Sequence, residues 1–122
     1  MYELRVKAGF SAAHQLRGYH GSCENLHGHN WKIEVAVRTE RLDEVGIGLD
    51  FRTIRQITLN VLNALDHQNL NELEPFHQIN ATSENLARWL FHELGRRLNV
   101  PGIGVSQVTV METDTCSATY WE

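Results

Sequence analysis

Apolar side chains open the chain on alternate positions: Leu4, Val6, Ala8, Phe10 and Ala12 are all even, and His14 ends the series. A period of two belongs to a strand with one buried face. Residues 2–14 are therefore predicted as a strand whose inward face finishes in an imidazole. Gly18, Gly21, Ser22 and Asn25 then mark a loop. Alternation resumes at residue 27, where Trp31, Ile33, Val35 and Val37 share a face with His27 and His29. The two strands suit an antiparallel pair with a long functional loop between them.

The period changes after Gly46-Ile-Gly48. Ile54, Ile57, Val61, Leu62 and Leu65 follow helical spacing behind Asp50, a good N-cap, so a helix is predicted over about 51–65. Residues 66–83 are polar and irregular. Leu86, Leu90, Leu94 and Leu98 predict a second helix from Ser83 to Leu98, capped by Thr82 or Ser83 and stopped by Pro101-Gly102. Two further strands are expected over 105–112 and 115–121, with Val108, Val110 and Glu112 on one face. The order is ββααββ, an α+β chain in which residues 1–122 form one domain without repeats or linkers.

Composition narrows the function classes. A chain of 122 residues buries roughly two thirds of its unfolded surface around one core. The net charge of -4, with its eleven Lys and Arg scattered, argues against nucleic acid as a partner. No apolar run approaches the ~20 residues of a membrane span. Two cysteines and a strand-like N-terminus without a signal peptide point to a reducing, cytoplasmic setting.

Histidine is where the composition departs from the ordinary. His14, His20, His27 and His29 are four of seven, all before residue 30. His14, His27 and His29 end the inward faces of two adjacent strands, where neutral imidazoles can converge on one ion. Three histidines make an open zinc site that keeps a fourth position for water or substrate, and iron or another divalent metal is also compatible with imidazole. Cys23, in Cys23-Glu-Asn-Leu-His27-Gly-His29, fits a fourth ligand, a nucleophile or base beside the metal, or a small buried hydrophobe. Cys116 lacks such company and reads as structural. Asp66-His67 fits either a polar helix exit or an Asp-oriented histidine for general acid–base work. Glu112, on an apolar face, needs a partner. An arginine would serve, as would the paired N–H donors of an amino-heterocycle. His20, His77 and His92 read as surface or helix residues.

These segments together resemble the 6-pyruvoyl-tetrahydropterin synthase family, which includes the 6-carboxy-tetrahydropterin synthases. Phe10-Ser-Ala-Ala-His14 is similar to the family's first metal segment and Cys23-x-x-x-His27-Gly-His29-Asn30 to its second. Leu49-Asp50-Phe51, Leu65-Asp66-His67-x-x-Leu70-Asn71, Thr82-Ser83-Glu84-Asn85-Leu86 and Glu112-Thr113 follow in the family's order. The resemblance implies a tunnelling fold, a four-stranded antiparallel sheet with two helices on one face. Its subunits join into trimers and hexamers with active sites between them. It implies His14, His27 and His29 as zinc ligands and Cys23 as a catalytic base assisted by Asp66 and His67. Glu112 becomes the pterin anchor, with Thr82, Ser83 and Glu84 near the ring. The implied substrate is 7,8-dihydroneopterin triphosphate.

The spacing from Cys23 to His27 resembles the bacterial carboxy-forming enzymes, which release acetaldehyde and triphosphate and feed 7-deazaguanine (queuosine) synthesis. Glu24, directly after the thiol, is either a solvated loop charge or the base of a branch that forms 6-hydroxymethyl-dihydropterin for folate. A pyruvoyl-forming relative is a further alternative. The non-enzyme alternative is a pterin- or metal-binding protein that keeps the fold without turnover. Trp31 and Ala81 depart from the tyrosine and proline common at those places.

Overall fold

A computed structural model describes residues 1–18 and 25–122. Cys23, Glu24 and His20 lie outside the described residues. The elements run β1 (Tyr2–His14), β2 (His27–Thr39), α1 (Phe51–Leu62), β3 (Gln68–Asn69), a 3₁₀ turn (Leu70–Glu72), α2 (Ser83–Leu98), β4 (Ile103–Thr113) and β5 (Cys116–Tyr120). The sheet order is β3-β1-β2-β4-β5. All neighbours are antiparallel except β3, which pairs parallel to β1 through Ala12↔Gln68 and Ala13↔Asn69.

The sheet thus has five strands where four were expected. The extra strand is two residues long, too short to show a period, and only its place beside β1 makes it a strand. Helix α1 also stops at Leu62, short of residue 65. Leu65 keeps the apolar spacing and is buried, but its N–H bonds Leu62 O in a turn. Both helix starts follow the expected capping. Asp50 accepts from Arg52 N at 2.8 Å, and Thr82 accepts from Asn85 N at 3.1 Å.

One core lies between the sheet and the two helices. Val6, Phe10, Trp31, Ile33, Val35, Val108 and Val110 meet Ile54, Val61 and Leu62 of α1 and Leu86, Leu90 and Leu94 of α2. The other sheet face is charged and exposed: Arg5 Nη1 donates to Glu34 Oε1 at 2.7 Å, and Lys32 Nζ to Asp114 Oδ1 at 2.6 Å. This segregation follows from period two, which sends alternate side chains to opposite faces. Cys116, expected to be structural, is instead exposed on β5, outside the core.

Two irregularities in β4 matter for placement. The pairing with β2 skips Ser106, whose hydroxyl donates to Glu3 Oε1 at 2.6 Å. The pairing with β5 passes from Met111↔Ser117 to Thr113↔Cys116, which leaves Glu112 as the extra residue of a bulge. A bulge re-aims the side chain it carries.

Candidate metal centre and active site

The long register of β1 against β2 sets His14 opposite His27 and Ala12 opposite His29. Because all three histidines keep the parity of the buried positions, their rings gather at one end of the core, beyond Trp31. That indole is 1% exposed and donates from Nε1 to Ala12 O at 3.1 Å. It stands edge-on to His14 and His29, with centroids 4.9 and 5.2 Å away.

The ring nitrogens divide their labour. His14 Nδ1 bonds Ala81 O at 2.7 Å and His27 Nδ1 bonds Asn25 O at 2.7 Å. A carbonyl only accepts, so each Nδ1 carries the proton and each neutral ring has a lone pair on Nε2. Those two Nε2 atoms are 3.0 Å apart. Two lone pairs at that distance repel unless a proton or cation sits between them. His29 Nε2 lies 2.9 Å from Glu112 Oε1, yet the two are not aligned as a hydrogen bond, and this buried nitrogen has no hydrogen-bond partner among the described residues. Glu112 Oε1 is also 3.2 Å from His14 Nε2.

The ligand atoms of His14, His27, His29 and Glu112 all lie within 4.8 Å of one another. Ligands about 2.0–2.1 Å from a tetrahedral zinc stand roughly 3.3 Å apart, close to the spacings observed. An orphaned imidazole nitrogen, opposed lone pairs and a carboxylate facing the same point fit a bound divalent cation. Burial pushes the His14 imidazole below its ordinary value, although the bond to Ala81 opposes this. It therefore favours the neutral form that binds metal.

Asp66 and His67 lie elsewhere. Asp66 Oδ1 accepts from Ser11 N at 2.9 Å, and Asp66 Oδ2 is 3.0 Å from His67 Nδ1. The Ser11 N–H holds the Asp66 carboxyl below the usual carboxylate range, with His67 adding to the effect. His67 adopts φ 59°, the left-handed region rare outside glycine, and its N–H bonds Ser11 O at 2.6 Å. The pair is thus fixed to the edge of β1, and the His67 side chain is 81% exposed. It does not join the imidazole cluster.

Thr82, Ser83 and Glu84 begin α2 directly after Ala81, the residue that holds His14. The Ala81 and Asn25 carbonyls and the Trp31 indole escape sequence reading, because a backbone oxygen or a core aromatic carries no local signal of its target. His77 and His92 are surface residues, paired with Glu74 at 2.7 Å and Glu122 at 2.9 Å.

Known proteins share this sequence and this fold. The family model described as 6-pyruvoyl tetrahydropterin synthase matches residues 3–122. The 6-carboxy-5,6,7,8-tetrahydropterin synthase of Synechocystis is 36% identical over 126 aligned positions, covering 99% of this chain and 94% of the relative. The dihydroneopterin monophosphate aldolase of Pyrococcus furiosus is 35% identical over 96, covering 79% and 75%. The solved 6-pyruvoyl tetrahydropterin synthase of Caenorhabditis elegans superposes with a TM-score of 0.90 at 30% identity, covering 99% of this chain and 95% of that one. The match runs along almost the whole sequence and the fold superposes on a solved member, so the chain belongs to the 6-pyruvoyl tetrahydropterin synthase family.

Proposed function

We propose that residues 1–122 form one catalytic domain, a zinc-dependent lyase that converts 7,8-dihydroneopterin triphosphate to 6-carboxy-5,6,7,8-tetrahydropterin, releasing acetaldehyde and triphosphate. The observation that carries this reading is the convergence of His14, His27 and His29 on one point, in a chain 36% identical to a 6-carboxy-tetrahydropterin synthase. His14, His27 and His29 would hold the zinc, which when bound supplies Lewis acidity to the side-chain hydroxyls of the substrate. The protein residues do the rest. Cys23 removes a carbon-bound proton beside the ring. His67, oriented by Asp66, carries a proton at the substrate side chain. Glu112 accepts the paired N–H donors of the pterin, and Thr82, Ser83 and Glu84 border the ring at the start of α2. Subunits assemble as trimers or hexamers, which lets the exposed Asp66–His67 pair of one chain serve a neighbour's site.

A second reading has a specific observation behind it. The Pyrococcus relative is named an aldolase, and Glu24 follows Cys23 in this chain. That combination suits cleavage to 6-hydroxymethyl-dihydropterin with Glu24 as base. Incubating the zinc-loaded protein with dihydroneopterin triphosphate separates the readings. Acetaldehyde with carboxy-tetrahydropterin is the expected outcome. Hydroxymethyl-dihydropterin would establish the second. A zinc-bound protein that forms neither pterin product would refute both and leave a binding protein.

A further inference from the structure

Two asparagine side chains, Asn71 and Asn80, each make a reciprocal pair of hydrogen bonds with the backbone just after His14. Gln15 N donates to Asn71 Oδ1 at 2.8 Å, and Asn71 Nδ2 donates to Gln15 O at 2.8 Å. Arg17 N donates to Asn80 Oδ1 at 3.0 Å, and Asn80 Nδ2 donates to Arg17 O at 2.9 Å. These are the exchanges a neighbouring strand would make at every second residue. Strand β1 ends at His14, so the amides extend its ladder over residues that, among the described residues, have no strand beside them.

The pairing reaches His14 from two sides. On the backbone side, β3 pairs with Ala13 and Asn71 holds Gln15, so His14 is clamped fore and aft. On the ring side, Ala81 O takes the Nδ1 proton at 2.7 Å. Ala81 directly follows Asn80, whose own carbonyl accepts from Asn85 Nδ2 at 2.9 Å. Arg17 Nη2 adds bonds to Phe76 O at 2.7 Å and Ile79 O at 3.0 Å, which bind the same segment to the end of β1. The carbonyl that orients His14 is therefore set by Asn80 and its neighbours. Partners that orient a metal-binding imidazole typically change metal affinity 10–100-fold when lost.

We propose that Asn71 and Asn80 are positioning residues for the metal centre: they fix the backbone of His14 and the Ala81 carbonyl that aims its ring. The proposal rests on the zinc reading above. Its test uses the full chain and three measurements: zinc affinity by chelator competition, the d–d absorption of the cobalt(II)-substituted protein, and the melting temperature. Asn80→Ala and Asn71→Ala should each weaken zinc binding about tenfold or more and shift the cobalt band. Asn80→Asp keeps the acceptor for Arg17 N and loses the donor to Arg17 O. It should fall between wild type and Asn80→Ala, and it serves if the alanine variant does not fold. Asn99→Ala is the control, because Asn99 Oδ1 accepts from Val105 N at 2.8 Å at the far end of α2. It should lower the melting temperature while leaving affinity and spectrum unchanged. Variants at Asn71 and Asn80 that behave like Asn99→Ala overturn the positioning role alone. A wild-type chain that holds no zinc, or a His14→Ala variant that holds it equally well, overturns the zinc reading and this inference with it.

Discussion

At the scale of single residues, one substitution checks each proposed role. Cys23→Ala should retain zinc and lose activity by about 10²–10⁴-fold, the usual weight of a positioned acid or base. Loss of zinc in that variant would make Cys23 a ligand. Glu112 is the sharper case, because its Oε1 sits 2.9 and 3.2 Å from two imidazole nitrogens. Glu112→Ala is expected to keep zinc and lose pterin affinity in a titration with a substrate analogue. A tenfold or greater fall in zinc affinity with pterin binding intact would show a fourth ligand instead. Asp66 supplies a pH prediction. Its carboxyl is held low by Ser11 N–H and His67, so its contribution to stability is present above the unfolded value near 3.8. That contribution disappears as pH falls through the lower folded value. The melting difference between wild type and Asp66→Asn should accordingly be constant at neutral pH and shrink to nothing in strong acid. A difference unchanged by acid would remove the Ser11 bond from the account.

At the scale of elements, packing and irregularity decide placement. Leu90 is fully buried between α2 and the sheet, and Leu90→Ala should cost about 2–5 kcal/mol in denaturant unfolding. Asp50→Ala should lower stability in the same assay by less than Leu90→Ala, since it removes the exposed acceptor for Arg52 N at the start of α1. Neither change touches the histidines, so zinc affinity should stay put. The bulge at Glu112 is different. It disturbs the regular ladder with β5 at Glu112, whose carboxylate meets the imidazoles, and a bulge beside a site is a recurrent way of aiming a side chain.

At the scale of the whole molecule, the sheet separates a dry, helix-covered face from a charged one, and the imidazole cluster lies at one end of the dry side. The Asp66–His67 pair lies on the β1 edge with His67 exposed. If that pair serves a neighbouring subunit, inactive Cys23→Ala and His67→Ala chains co-assembled in one oligomer should regain part of the wild-type turnover. Mixed oligomers that stay inactive would confine each site to a single chain. Among the described residues no helix is long and apolar enough to cross a membrane.

Sequence by itself determined what depends on local periodicity and chemistry. The even series ending in His14 and the odd series from His27 to Val37 announced two strands with imidazoles on the buried face. The four-residue leucine spacing announced α2, and Asp50 and Thr82 announced where the helices begin. Donor types in that order also pointed to an open metal site. Tertiary structure alone decided the rest, because it depends on contacts between distant segments. The β1–β2 register sets His14 opposite His27. The Ala81 carbonyl, 67 positions away in the chain, chooses the tautomer of His14. A two-residue β3 is a strand only because β1 lies beside it, and Asn71 and Asn80 become backbone partners only once residues 15–17 come to rest against them. Period fixes which way a side chain points; packing fixes what it meets.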